Sequence, residues 1–173
     1  MSPSPTLLPP LMFFNRRQAA VVEAMAARIV PSEAGSPGAR EARAIVYIDR
    51  ALSGYFASLQ VLYREGVERV DAMSLAQFGK SFVEMEDSQQ DELLQAMVSG
   101  SSPKAAEFFA VVYEHTIEGT FGDPIYGGNA DAVGWRLIGF PGAQWGYTPA
   151  QMAKGFDARS IPIVTLVDAG RLK

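Results

Sequence analysis

Apolar residues recur at helical spacing along the first two thirds of the chain, and breaker residues separate each stretch from the next. Residues 16–29 form the first stretch, and their apolar side chains fall on one face of a helix. Asn15 precedes it as a good N-cap, with Gln18 three residues later as in a capping box. Pro31 follows as a stop signal. This pattern predicts a helix from Arg16 to Ile29.

Further helices are predicted from the same signals. A second helical stretch begins near Ala39, and Gly54 is expected to kink or split it. Gly66 is expected to weaken the helix that follows, because glycine lowers helix propensity. A short helix over residues 74–78 is then predicted to end at Gly79, since helices commonly end at a glycine.

Two more helices follow, each opened by a serine. Ser88 is predicted to cap one of them, with Asp91 at the third helical position and Gly100 at the end. The pair at residues 102–103, serine then proline, opens the next helix, because proline is favoured at the first helical position. This helix is expected to run to about Glu118.

No strand pattern of any length precedes residue 160, and the only β-branched run lies in the tail at residues 161–167. Helix following helix predicts an all-α fold, an irregular bundle of about five or six helices. We divide the chain into an arm at 1–14, a helical domain at 15–149 and a tail at 150–173. The end of that domain, residues 119–149, is expected to lack regular structure.

The arm combines helix-breaking and apolar residues. Residues 1–10 carry four prolines and two serines, and such a composition is extended and not helical. Leu7, Leu8, Leu11 and the phenylalanines that follow make the arm unusually apolar for a tail. Two interpretations stay open: the arm packs on the core of its own domain, or it lies on a partner.

The composition changes sharply after Glu118. Residues 119–149 hold eight of the chain's 16 glycines and both tryptophans, but only three charged residues. Glycine allows close backbone approach and positive φ, while tryptophan and tyrosine are typical of interface hot spots. Three interpretations stay open: a structural loop packed on its own helices, a protein interface, or a small-molecule site. We expect Trp135 and Trp145 to find shelter in another polypeptide.

The interface interpretation selects the rings, glycines and turn-forming residues of this segment. The candidate interface residues are Phe121, Asp123, Pro124, Tyr126, Gly127, Gly128, Asn129, Trp135, Phe140 and Trp145.

The sequence lacks the residue sets that most catalytic and redox sites require. The chain has no cysteine and a single histidine, His115. Thiolate catalysis, iron–sulfur clusters and bis-histidine haem are therefore excluded. No glycine-rich dinucleotide motif follows a strand, so this chain has no Rossmann-type site for FAD or NAD. We assign it no catalytic, cofactor or metal residues. The alternative is a small stand-alone enzyme with a pocket near His115 and Glu118.

Charge and hydropathy limit the kinds of partner that the sequence predicts. The net charge is −4, and no basic stripe occurs, so we expect no nucleic-acid partner. No apolar run is long enough to span a membrane. Arginines at 16–17 suggest a twin-arginine signal, but Glu23 and Arg28 interrupt the stretch behind them. We therefore expect no export signal within this sequence.

Several segments resemble the gluconate 2-dehydrogenase subunit 3 family. The most specific are T-I-E-G-T-F-G-D-P-I-Y-G-G-N at residues 116–129 and G-W-R-L-I-G-F-P-G at residues 134–142. Upstream, I-V-P-S at 29–32, Y-I-D-R-A-L at 47–52 and F-G-K at 78–80 are also similar to the family's pattern. The resemblance extends over roughly residues 15–145, which is most of the chain.

The resemblance implies a non-catalytic small subunit of a bacterial dehydrogenase complex. Its large partner is expected to be an FAD-dependent flavoprotein of the glucose–methanol–choline type that oxidises a sugar, a sugar acid or a glycoside. A further subunit, a cytochrome c carrying haem c, often accepts the electrons. The small subunit is expected to aid the folding, export or stability of the flavoprotein. The resemblance implies a periplasmic location, with the cytoplasm as the alternative because no signal is visible.

Overall fold

The computed structural model describes residues 9–100 and 102–170, and the fold is all-α as predicted. The described residues contain no β-strand, and short 3₁₀ turns link several of the helices. The α-helices are α1 Arg16–Ile29, α2 Ala44–Ser53, α3 Gln60–Phe78, α4 Asp87–Ser99, α5 Pro103–Phe121 and α6 Val133–Ile138.

Helix α1 begins and ends where the sequence predicts. The Gln18 backbone N–H donates to the Asn15 side chain at 2.9 Å, and the Asn15 backbone N–H donates to the Gln18 side chain at 3.1 Å. Both halves of the capping box are thus present. Ser102 caps α5 through a bond from the Ala105 N–H, and Pro103 takes the first helical position. The α5 helix then continues to Phe121, three residues beyond the predicted end.

Other predicted boundaries are wrong in detail. Helix α4 is capped by Glu86 and not by Ser88, because Glu86 forms a capping box with Gln89. Residues 74–78 form the last turn of α3 and not a separate helix, since α3 continues through its buried glycine at position 66.

The second helical stretch is shorter than predicted. Helix α2 begins at Ala44 and not near Ala39, because Arg43 adopts a left-handed conformation with φ 53° just before it. Gly54 does end α2, as predicted, and a 3₁₀ turn at Ala57–Leu59 leads into α3.

Helix α5 lies at the centre of the bundle and packs against α1, α2, α3 and α4. The side chains at the middle of the core come from helices α1 to α5 and from the turn before α4. Among the largest fully buried ones are Met25, Ile48, Tyr63, Phe82, Leu93 and Phe108. None of the helices in the described ranges is long and apolar enough to cross a bilayer.

The described end of the arm packs on the chain's own domain. Asp49 on α2 is buried, and its carboxylate accepts hydrogen bonds from the backbone N–H groups of Met12, Phe13 and Phe14 at 2.6–3.0 Å. Phe14 is buried beside Tyr63, with 5.7 Å between ring centroids. The own-core interpretation thus holds for Leu11, Phe13 and Phe14, whereas the Met12 side chain is exposed. The predicted arm residues 1–8 lie outside the described residues.

Replacing Asp49 with alanine is expected to lower the free energy of unfolding by about 3 kcal/mol. The change leaves three backbone N–H groups without their acceptor, and each such group that is buried lowers the free energy of unfolding by about 1–3 kcal/mol. Glu68→Ala, which removes an exposed carboxylate from α3, serves as the control and is expected to change stability by less than ~0.5 kcal/mol. Urea unfolding of both variants checks this, and equal losses would contradict the role of Asp49.

Candidate partner-binding surface

Residues 119–149 contain more regular structure than predicted. The segment begins with the last turn of α5 and passes through 3₁₀ turns at Pro124–Tyr126 and Ala130–Ala132. Helix α6, Val133–Ile138, follows and ends at a glycine with positive φ. The turns are tight because Asn129, Asp131 and Ala132 adopt left-handed backbone conformations. The expectation of a wholly non-regular segment is therefore wrong, although no long helix forms.

Asn129 joins the two ends of this segment to each other. Its side chain is fully buried, and its amide nitrogen donates to the Gly122 carbonyl at 2.8 Å. Its amide oxygen accepts from the Gly134 N–H at 2.8 Å, and its backbone N–H donates to the Gly119 carbonyl at 2.7 Å. A single side chain thus fixes the end of α5 against the start of α6.

The neighbouring glycine allows this close approach. A Cβ atom on Gly128 would lie only 2.1 Å from the carbonyl oxygen of Gly119 on α5. No other residue type fits that gap without moving the backbone. Gly128 therefore allows the turn to lie directly against α5.

Trp135 is sheltered by this chain itself. Its side chain is only 3% exposed, and its indole N–H donates to the Phe121 carbonyl at 2.7 Å. The ring of Phe140 packs edge-on against it, with 5.2 Å between centroids. This corrects the expectation that the ring finds shelter in another polypeptide, and it places Trp135 among the residues that hold the surface in shape.

The tail folds back on the same segment. The carboxylate of Asp123 accepts hydrogen bonds from the backbone N–H groups of Ile125 at 3.0 Å and Leu166 at 2.9 Å. Val164 pairs with the chain at residues 141–143 through two backbone hydrogen bonds. The β-branched run at 161–167 therefore forms one isolated bridge and not a strand.

The predicted interface residues divide into a buried and an exposed group. Gly128, Asn129 and Trp135 are buried, whereas Tyr126, Phe140 and Trp145 are exposed. Trp145 is the most open of these rings, at 75% exposure. The remaining predicted residues, which are half-buried, are Phe121, Asp123, Pro124 and Gly127.

Further exposed apolar side chains accompany the predicted ones. Of the 16 exposed large hydrophobic residues among those described, eight lie between positions 137 and 167. We call these eight the carboxyl-terminal apolar set. Its members are Leu137, Ile138, Phe140, Trp145, Tyr147, Met152, Phe156 and Val167. Six of them were missed by sequence reasoning, because a stretch without periodicity does not reveal which side chains face water.

His115 and Glu118 occupy separate contacts and do not form a catalytic pair. His115 is 2% exposed, stacks on Phe56 at 4.5 Å between ring centroids, and shares a 2.9 Å hydrogen bond between its Nδ1 and the Tyr63 hydroxyl. Glu118 accepts a 2.7 Å bond from the Tyr47 hydroxyl. The described residues bring together no group of three acidic or histidine side chains suited to a metal ion.

Burial makes His115 a neutral structural residue near neutral pH. Removal from water lowers its pKa, and this effect outweighs the opposing charges of Glu118 and Glu114. The ring therefore joins α3 to α5 through Tyr63 and is closed to a substrate.

A comparison with protein-family models matches residues 16–142 to the family described as gluconate 2-dehydrogenase subunit 3. The match covers well over half of the chain, runs from the start of α1 through α6, and ends at the glycine that faces the Trp135 ring. Neither the curated proteins nor the solved structures contain a match to this chain.

Asn129→Ala is expected to loosen the segment and expose Trp135. The Gly122 carbonyl and the Gly134 N–H lose their hydrogen bonds, and each loss destabilises the fold by about 1–3 kcal/mol. In a Trp145→Phe background Trp135 is the only tryptophan, so acrylamide quenching of its fluorescence should rise several-fold. Asn15→Ala, which alters the only other asparagine, is the control and should leave quenching unchanged. Unchanged quenching in Asn129→Ala would contradict the conclusion that Asn129 holds the end of α5 against the start of α6.

The buried His115 is expected to make the fold less stable in mild acid. The unfolded chain takes up a proton near the ordinary pKa of 6.5, whereas the folded chain takes it up only at lower pH. Stability is therefore lost as pH falls below about 6.5, by at most ~1.4 kcal/mol per pH unit for one proton. His115→Gln removes the only histidine, so urea unfolding between pH 7.5 and 5 should show a flatter decline. Parallel pH curves for variant and wild type would contradict this.

Proposed function

Because this chain belongs to the gluconate 2-dehydrogenase subunit 3 family, we propose that it is a non-catalytic small subunit that binds and stabilises a large flavoprotein. The partner is an FAD-dependent dehydrogenase of the glucose–methanol–choline type, acting on a sugar, a sugar acid or a glycoside. The observation that carries the proposal is the carboxyl-terminal apolar set, eight large side chains left open to water.

Exposed rings in such number favour a protein partner. Burying apolar surface contributes roughly 25 cal/mol per Å², so a chain gains stability by covering these side chains. Trp145 and Tyr147 each combine a large ring with one polar group, which is the composition of interface hot spots. The backbone on either side of these rings is bonded to the rest of the chain, at Ala143 through Val164 and at Leu166 through Asp123, which limits the order that has to be gained on binding.

The alternative, a stand-alone enzyme with a pocket near His115 and Glu118, lacks support. The histidine is buried between aromatic rings and neutral, and Glu118 is bonded to Tyr47. General acid–base catalysis requires a group that reaches the substrate, and His115 does not.

The chemistry of the complex then belongs to other subunits. FAD is held by the large subunit, and haem c by a cytochrome subunit that receives the electrons. We place the complex in the periplasm, a proposal that rests on the family resemblance. Support by this chain consists of covering apolar surface on the flavoprotein during or after its folding.

Co-expression tests the proposed function directly. An FAD-dependent dehydrogenase of the glucose–methanol–choline type from the same organism is produced with and without this chain, and its yield, bound flavin and activity are measured. We expect all three to fall when the small subunit is missing. Equal values in both preparations would rule the proposal out.

The double variant Trp145→Ala with Tyr147→Ala is expected to weaken binding to that flavoprotein. Each lost hot spot costs about 2 kcal/mol, so Kd should rise at least tenfold. The control is Val98→Ala with Tyr113→Ala, because these side chains are similarly exposed on α4 and α5. Isothermal titration of both variants measures Kd, and an equal loss in the control would contradict a specific role of Trp145 and Tyr147.

A further inference from the structure

An open groove lies where the end of α2 meets the turn at Pro124–Tyr126. It has a volume of about 500 Å³. Its walls are mostly aromatic, and one cation lies among them. The lining residues are Tyr47, Arg50, Ala51, Tyr55, Phe56 and Tyr126. None of these belongs to the carboxyl-terminal apolar set, so the groove is a second and separate feature of the surface.

Contacts with α5 hold two of the aromatic side chains that line the groove. Phe56 stacks on the buried ring of His115 at 4.5 Å between centroids. The hydroxyl of Tyr47 donates to Glu118 at 2.7 Å, which uses that carboxylate within the chain. Tyr55 contacts Phe56 edge-on at 5.0 Å, yet remains 90% exposed at the rim. The groove therefore keeps its shape before any ligand arrives.

The side chain of Arg50 lies against Gly127, a glycine of the D-P-I-Y-G-G-N segment at residues 123–129. A Cβ atom on Gly127 would lie 2.6 Å from the Arg50 Nη1 atom, so a larger residue at position 127 would force the Arg50 side chain to move. Gly127 also has φ 101°, a conformation that favours glycine. Within the described ranges no carboxylate lies within ion-pair distance of Arg50. The guanidinium thus lies against Gly127 and has no ion-pair partner among the described residues.

We propose that this groove binds an acidic side chain of the flavoprotein together with an adjacent aromatic or aliphatic residue. The inference rests on the proposed function and specifies a contact within it. A guanidinium beside aromatic rings binds a carboxylate through two parallel hydrogen bonds, in a planar geometry that lysine cannot offer. The rings of Phe56 and Tyr126 receive the apolar neighbour.

The shape of the groove favours a polypeptide over a small anion. Sites for small molecules bury most of the ligand surface. This groove is open, and Tyr55 stands almost wholly in solvent beside it. A chain passing over the rim covers Tyr55 as well as filling the groove, whereas a small anion would leave that ring exposed.

Binding to the flavoprotein used in the co-expression test, measured at several salt concentrations, tests the inference. Arg50→Gln should raise Kd roughly tenfold or more at low salt and flatten the dependence of Kd on salt. Gly127→Ala should reproduce this loss by displacing Arg50, and circular dichroism verifies that its helices are retained. Arg50→Lys should recover only part of the affinity, because lysine lacks the two-pronged geometry.

Lys80→Gln is the matched control, because it also removes one exposed positive charge. Lys80 follows the carboxyl end of α3, whereas the groove adjoins the start of α3, about 28 Å away along a helix of 19 residues. We expect its Kd and salt dependence to equal those of the wild type. If Arg50→Gln also leaves both unchanged while the wild type binds, the groove assignment is overturned and the proposed function stands. If the wild type does not bind at all, both are overturned.

Discussion

The amide group of Asn129 bonds to the carbonyl of Gly122 and the N–H of Gly134, and through them it holds the end of α5 against the start of α6. Unpaired amide groups in such a buried position would cost several kcal/mol, so the turn between the helices has one stable geometry. That geometry places Tyr126 beside α2 and buries Trp135, and it directs the chain beyond α6 along the outside of the bundle. Both features proposed to contact a partner depend on it.

Aromatic residues therefore serve two different purposes in one short segment. Trp135 fills the space between the turn and the tail, and its indole N–H is bonded within the chain. Trp145, ten residues later, is 75% exposed. The helical core is complete without these later rings, since α5 already packs on the four helices before it. The exposed apolar side chains lie outside the buried core, and we propose that a partner covers them.

Local signals predicted the helices well where caps were unambiguous. Asn15 with Gln18 and Ser102 with Pro103 fixed two helix starts, because each satisfies backbone groups within its own turn. The start of α4 was misjudged because several adjacent polar residues qualify as caps. Burial within residues 119–149 was not predictable, since it depends on contacts distant in sequence. Arg50 shows this most clearly: its place beside Gly127 follows only from the packing of α2 on the turn.

Hydrogen–deuterium exchange of this chain, alone and mixed with the FAD-dependent flavoprotein proposed as its partner, tests the central claim most directly. We expect slower exchange in the complex at residues 137–167 and at 47–56, where the apolar set and the groove lie. Exchange on the outer face of α4 should not change. Protection confined to α4, or identical exchange with and without the flavoprotein, would contradict the account.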